Sequence, residues 1–254
     1  METAGPPRLE GFARAVATAL GTGGILLAVN QHFNLQFLVG AVVLDNRYLF
    51  LLAALFIPVV FLGFPGWRRR HPGIPAIDWL LAGLAAGLFA WLAAAADDIL
   101  LEGWEYAAPP RARLVSILTW AIVIEATRRT GGLAIALIVL AVSLYPTVAD
   151  VMPGPISGIA TPFADAMGFH ILSTESAFGI PMRAFGDLVV GFIVFGVAMN
   201  HTGAGAFFND LAFALVGRWR GGAAQVAVIS SGLQGSISGS VISNVISSGV
   251  VTIP

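Results

Sequence analysis

Residues 79–96 read WLLAGLAAGLFAWLAAAA, a run without a single charged side chain. A charge within hydrocarbon is costly, and a helix needs about 20 apolar residues to cross a bilayer. The rest of the chain has a similarly apolar composition. Of its 254 residues, 57% are apolar and only 11% are charged, and the mean hydropathy is +0.85. Soluble domains carry about 25% charged residues. The sequence therefore predicts an all-α polytopic membrane protein.

Intervals between charged residues mark the candidate spans. About six transmembrane helices are predicted, within Arg14–Asp45, Arg47–Arg68, Asp78–Asp97, Arg113–Glu125, Arg129–Asp150 and Asp187–Asp210. The fourth interval is short and must recruit flanking residues to span. From Asp150 to Asp187, prolines and glycines interrupt the apolar sequence, which predicts a bent connection with one or two short helices. Residues 209–216, NDLAFALV, are predicted to form a short helix along the membrane surface.

The arginines predict the orientation, because cytoplasmic loops are enriched in basic residues. With a cytoplasmic N-terminus, nine arginines fall inside and four fall outside. The inside group is Arg8, Arg14, Arg68, Arg69, Arg70, Arg128, Arg129, Arg218 and Arg220, and the outside group is Arg47, Arg111, Arg113 and Arg183. The first apolar run could instead be a signal peptide, but the LLAVN sequence lacks a clear small-x-small cleavage site. A retained first helix is therefore favoured.

Composition excludes several kinds of chemistry. The chain has no cysteine and no lysine, which removes disulfides, thiol nucleophiles, Schiff-base lysines and Walker-A phosphate loops. The net charge of −1 and a pI near 6.4 argue against a general nucleic-acid binder. The GSISG sequence at 235–239 is no nucleophile elbow, because Ile237 stands where the serine should be. We expect neither an enzyme nor a bound cofactor.

The C-terminal stretch after Arg220 is uncharged but rich in glycine and serine. Apolar runs flank a Gly/Ser centre, which is typical of a re-entrant helical hairpin that turns within the membrane. Non-helical backbone at that depth must be buried in protein or line a wet cavity. Hydroxyl, amide and carbonyl oxygens suit Na⁺ better than a transition metal. The alternative is close helix packing through small residues, as in Gly235-xxx-Gly239, and packing is the preferred interpretation for Gly83-xxx-Gly87.

This stretch carries a family resemblance. The sequence GLQGSISGSVISNVISSGVVTIP (232–254) resembles the signature of tripartite ATP-independent periplasmic (TRAP) transporters, closest to fused permeases paired with TAXI-type solute receptors. Residues 124–132 (IEATRRTGG), 191–217 and 218–232 match the same pattern. Residues 1–47, to which the resemblance does not extend, are predicted to be an N-terminal helix and linker, and the resemblance implies a small-subunit-like domain at 48–112. It implies the first half of a large-subunit-like (DctM-type) transport domain at 113–254.

The resemblance also implies a function. TRAP permeases of the bacterial inner membrane take up small organic acids on a sodium gradient, with a proton gradient as the alternative, and a TAXI-type periplasmic solute-binding protein delivers the solute. An ion-coordinating role carries over to Ser238, Ser240 and Asn244, with Ser236 and Gly239 near the hairpin tip. The family's second inverted repeat has no counterpart in the sequence. The chain is therefore predicted to be the N-terminal portion of a longer permease, or else a truncated, non-transporting membrane scaffold.

Charged residues outside this stretch favour structural roles. Glu125 lies one turn from Arg128 and Arg129, which predicts an ion pair at the inner end of the fourth span. Asp187 and Asp210 are predicted to be interfacial. The remaining predictions are a solvated outer cap formed by Asp97 and Asp98, and an interfacial belt formed by Trp67, Trp79, Trp91, Trp104 and Trp120.

Overall fold

The computed structural model describes residues 9–36, 43–66, 73–218 and 221–238, and these residues form helices and turns without a β-strand. Five helical segments are long and apolar enough to cross a membrane: Gly11–His32, Asp45–Gly63, Ala76–Ala94, Pro110–Thr147 and Ile180–Ala198. The prediction of an all-α polytopic membrane protein is confirmed. The chain divides into two compact units, Met1–Ala184 and Phe185–Pro254.

The first unit is built around two antiparallel helices, α2 (Asp45–Gly63) and α3 (Ala76–Ala94). Their facing sides are apolar, with Phe50, Phe61 and Phe89 almost fully buried. Helix α1 (Gly11–His32) packs along α2. Short helices α4 (Ala96–Leu101) and α5 (Trp104–Ala107) follow α3. Between helices that cross a membrane, such contacts stabilise through close van der Waals packing, because lipid is as apolar as the side chains themselves.

Charged residues collect at the two ends of this unit. At the end where α2 begins, Arg47 pairs with Asp97 at 2.6 Å, and Arg183 pairs with Asp45 at 2.8 Å. The Arg47 Nε also donates to the Ala93 carbonyl at 3.1 Å, which joins the start of α2 to the end of α3. Asp97, which was predicted to be part of a solvated cap, is half exposed and also forms an ion pair with Arg47. Arg47 and Arg183, two of the four arginines predicted to lie outside, are thus both at this end.

Helix α6 (Pro110–Leu144) is a helical hairpin of two arms. Gly132 has φ +82° and ψ 174°, which is not helical backbone. The Trp120 Nε1 donates to the Ser143 Oγ at 3.1 Å. In one straight helix these 23 steps would separate the two residues by about 35 Å. The chain therefore reverses at Gly132, and the two arms correspond to the predicted fourth and fifth spans.

The hairpin is followed by the bent connection that the sequence predicts. Three 3₁₀ turns, Tyr145–Thr147, Ala149–Val151 and Gly154–Ile156, lead into α7 (Phe163–Leu172), a ten-residue helix packed on α6. The Arg113 guanidinium pairs with Asp165 of α7 at 2.9 Å. Helix α8 (Ile180–Ala184) ends the unit. The prediction of short helices within this connection is confirmed.

Two sequence predictions about the first unit are wrong. Trp104 is only 2% exposed, stacks on Trp91 at 6.3 Å and donates to Glu102 at 2.6 Å, so it is a core residue and not part of an interfacial belt. Gly83 and Gly87 do not mediate helix packing within the described residues. Both lie on the exposed side of α3, and a Cβ at either position would meet nothing within 4 Å.

The second unit begins with a π-helical turn, Phe185–Val189, and continues as α9 (Val190–His201), α10 (Ala204–Val216) and α11 (Gly222–Ser238). The predicted span from Asp187 to Asp210 is not one helix. Gly203 adopts φ +81°, a left-handed conformation that glycine accepts without steric cost, and this residue separates α9 from α10. The predicted short helix at 209–216 is therefore the second part of the longer α10.

Candidate ion-binding site

The predicted ion-binding residues fall at the end of α11 and beyond it. Ser236 and Ser238 lie in the final turn of the helix as the structure describes it. Gly239, Ser240 and Asn244 lie outside the described residues, so their arrangement stays a prediction. What the structure adds is the helix that leads to this segment and the surface on which that helix is held.

Two glycines set the start of α11. Gly221 has φ +78°, and its carbonyl accepts hydrogen bonds from the backbone N–H groups of Ala224 and Gln225. A Cβ on Gly222 would lie 2.5 Å from the Gly217 carbonyl oxygen, which is far closer than real Cβ atoms approach. Only glycine therefore permits the end of α10 to approach the start of α11 this closely.

One side of α11 is packed against α10. Val226 and Ser230 are fully buried, and they lie on the same helical side because four residues separate them. Val226 joins Ala212 and Val216 of α10 in a small core. Val228, on the other side of the helix, is largely exposed. The apolar run before the Gly/Ser centre, predicted as the first arm of a hairpin, is therefore a helix held by one side.

The chemistry available at this helix is that of neutral oxygens. Every side chain of α11 is uncharged, and Ser230 and Ser231 both make polar or electrostatic contacts. The C-terminal end of a helix carries partial negative charge on its unpaired carbonyls, which favours a cation near that end. Within the ranges described, no three histidine, aspartate or glutamate side chains converge in the manner of a metal site. The described part of α11 therefore offers neutral oxygens and no charged side chain.

Sequence reasoning misplaced one ionisable residue. Asp187 was predicted at the membrane interface, immediately before its span. The apolar helical segment instead begins at Ile180, so that Asp187 lies within the candidate span, half-buried in the π-helical turn. The sequence prediction began this span at Asp187 because it bounded each span by the nearest charged residue. Ionisable residues within spans and π-turns are both frequent at functional sites, which makes Asp187 worth including in mutagenesis.

These features define the class: a multi-span helical membrane protein in which a packed apolar helix leads into an uncharged Gly/Ser segment. The sequence profile of the family described as "Tripartite ATP-independent periplasmic transporter, DctM component" matches residues 118–254, more than half of the chain. The chain belongs to this family, and it is therefore a TRAP permease component. This family is one of transporters and not of enzymes. Comparison with curated proteins and with solved structures found no match.

Proposed function

We propose that the chain takes part in sodium-coupled uptake of small organic acids across the bacterial inner membrane. In this proposal the N-terminus of the chain is cytoplasmic, and a periplasmic TAXI-type solute-binding protein delivers the solute. The alternative coupling ion is a proton. The observation that carries the proposal is the family match over 118–254, which includes the whole uncharged Gly/Ser segment. Small-subunit-like residues 48–112, fused to the large-subunit-like part, belong to the same proposal.

The proposed ion site is formed by neutral oxygens of residues 236–244, which begin in the last described turn of α11. Ser238, Ser240 and Asn244 contribute hydroxyl and amide oxygens, while Ser236 and Gly239 contribute backbone carbonyls near the turn. Hard cations such as Na⁺ prefer oxygen ligands. Broken helices supply exactly such carbonyls at membrane depth in other secondary transporters. The packing of α11 on α10 supports the proposal, because a coordinating turn needs a fixed helix on which to be held.

In mechanism, the site acts by differential binding. Sodium occupies the Gly/Ser turn when the permease accepts solute, and its electrochemical gradient then favours release of both on the inner side. A ligand shifts such an equilibrium only by as much as its affinity differs between the two states. Neutral oxygens suit this requirement because they hold a monovalent cation without trapping it as a cluster of carboxylates would. The second half of such a site would come from a second hairpin.

The experiment measures solute uptake into proteoliposomes that contain the complete transporter, with an imposed sodium gradient. Ser238→Ala, Ser240→Ala and Asn244→Ala should each abolish sodium-driven uptake or shift its sodium dependence to higher concentration. Ser157→Ala is the matched control, because Ser157 is an exposed serine of the connection before α7. Uptake that follows a proton gradient alone would select the proton alternative.

The outcome that contradicts the site assignment is an unchanged sodium dependence in all three alanine variants. Asp187→Asn, measured in the same assay, tests whether the carboxylate within the span contributes to ion coupling. Loss of uptake in every variant including Ser157→Ala would indicate general misfolding, and size-exclusion profiles of the purified proteins distinguish that case.

A further inference from the structure

A cluster of four charged residues, of which Arg129 and Asp78 are buried, joins α6 to the α2–α3 pair. The Arg129 Nη1 donates to Asp78 at 2.8 Å, and its Nε donates to Glu125 at 2.7 Å. Arg128 makes two hydrogen bonds to the same Glu125, at 2.7 and 2.8 Å. The side chains of Arg129 and Asp78 are each only 3% exposed. Two positive and two negative charges are thus gathered at one place, and they balance.

The same arginines bind the backbone at the end of α2. Arg128 donates to the Gly66 carbonyl at 2.8 Å, and Arg129 donates to the Phe64 carbonyl at 3.3 Å. Phe64 is the C-cap of α2 and Gly66 lies in the turn that follows, so these bonds satisfy carbonyls that have no partner within the helix. The Arg129 guanidinium also lies over the Phe61 ring, 4.9 Å from its centroid.

Gly66 makes room for this arrangement. A Cβ at Gly66 would lie 2.7 Å from the Arg129 Nη2 and 3.0 Å from its Cζ. Arg129 cannot move away easily, because it is held by Asp78 and Glu125 and is buried. By contrast, a Cβ at Gly63, one turn earlier at the end of α2, would meet nothing within 4 Å. The two glycines therefore form a natural test pair within one segment.

The cluster divides between the two parts of the chain. Glu125, Arg128 and Arg129 lie inside the family match that begins at residue 118, and together they carry one excess positive charge. Asp78 supplies the compensating negative charge, and it lies in the part that precedes the match. Removing one partner from a buried ion pair is strongly destabilising, because the other charge stays buried without compensation.

We propose that the Asp78–Arg129 pair, together with Gly66, fixes the register in which the α2–α3 pair docks on α6. The surface on α6 selects a partner of defined chemistry: an acidic residue at the start of one helix beside the open carbonyl end of another. Apolar packing of α2 and α3 on α6 buries contact area but does little to fix the register. A small sliding of one apolar helix along another changes the buried area only slightly. The proposal does not depend on the transported solute or the coupling ion.

The test is a double-mutant cycle on the full 254-residue chain, purified in mild detergent, with thermal unfolding as the readout. Arg129→Gln leaves Asp78 without this cation, and it should lower the unfolding temperature by roughly 8–15 °C. Asp78→Asn should lower it less, because Arg129 retains Glu125. The double variant should be more stable than Arg129→Gln alone, since it also removes the negative charge that Arg129 faces in the native chain. A double variant less stable than either single one would overturn the proposal.

A second comparison keeps the proposal testable if the Arg129 variant does not fold. Gly66→Ala should lower the unfolding temperature by several degrees, while Gly63→Ala should leave it unchanged or slightly raised. Docking at the far side is read in native membranes from a Tyr106→Cys/Phe169→Cys pair, whose native rings lie 6.1 Å apart, with a short bismaleimide cross-linker. Gly66→Ala should reduce this cross-link and Gly63→Ala should not. Equal behaviour of the two glycine variants in both readouts would refute the role of Gly66 and with it the proposed register lock.

Discussion

Replacing Trp120 and Ser143 by cysteine tests whether the chain reverses at Gly132. The native chain contains no cysteine, so a double-cysteine variant has no background reaction. In the hairpin the two native side chains are hydrogen-bonded at 3.1 Å, whereas a continuous helix would place them about 35 Å apart. A short bismaleimide should therefore cross-link this pair within the monomer, visible as a gel shift of the purified protein after cleavage between the arms.

A matched pair with the same sequence separation is Leu114→Cys/Leu137→Cys. Both native side chains are exposed, so both cysteines are reachable by reagent. In the hairpin, Leu114 lies 18 residues before Gly132 and Leu137 lies 5 residues after it, which offsets them by about 20 Å along the arms. This pair should not cross-link. Absence of cross-linking for the Trp120/Ser143 pair, with both single variants reactive, would show that the helix is continuous.

The turn itself has an energetic signature. The φ of +82° and ψ of 174° at Gly132 belong to a region that is essentially restricted to glycine, so Gly132→Ala should cost about 1–3 kcal/mol of the free energy of unfolding. Gly87→Ala, on the exposed side of helix α3, is the control and should stabilise by about 0.5–1 kcal/mol. SDS titration with tryptophan fluorescence measures both. Equal stability of the Gly132 variant and the native chain would refute the assigned turn.

Three further predictions concern single sites, and the same SDS titration measures them. Gly203→Ala should cost about 1 kcal/mol, because the left-handed φ of +81° penalises a side chain, and circular dichroism should show no loss of helix. Ser116→Ala and Thr119→Val should each stabilise by about 1 kcal/mol, because both hydroxyls are fully buried and have no hydrogen-bond partner among the residues that the structure describes. Trp104→Phe should lower the free energy of unfolding by about 2 kcal/mol, because the hydrogen bond to Glu102 is lost and the ring is smaller. Trp104→Tyr should not restore this stability.

The helical membrane fold could be predicted from charge spacing alone. Charges are excluded from hydrocarbon, so Arg113, Glu125, Arg129 and Asp150 delimit two adjacent spans, and the structure joins those spans as the arms of one hairpin. The same rule failed at Asp187, because it ends a span at the first charge while the helix continues upstream through the apolar residues around Arg183. Charge spacing therefore indicates which stretches of sequence can cross hydrocarbon, but it does not locate the residue at which each helix begins.

Contacts between residues that are distant in the sequence could not be predicted from the sequence alone. The ion pair of Glu125 with Arg128 and Arg129 was predicted because these residues are neighbours on one helix. Asp78, which shares Arg129, lies 51 positions away, and nothing local distinguishes it from any other residue that delimits a span. The ion-site prediction rests on the family resemblance and on neutral oxygen donors. Its helix is now placed, while the coordinating role of Ser238, Ser240 and Asn244 stays a prediction.

The unequal arms of the α6 hairpin have a consequence for the connection that follows. The second arm, 133–144, rises about 18 Å, well short of the roughly 30 Å of hydrocarbon. The backbone beyond it must therefore find its hydrogen-bond partners within the protein. It does so through bonds that bridge distant positions: Gly158 N–H to the Ala149 carbonyl, Thr161 N–H to the Pro146 carbonyl, the Tyr145 hydroxyl to the Ile156 carbonyl, and a His170 Nε2 contact to the Ser143 carbonyl. The segment that looks least regular in the sequence is thus held together by hydrogen bonds between its own turns.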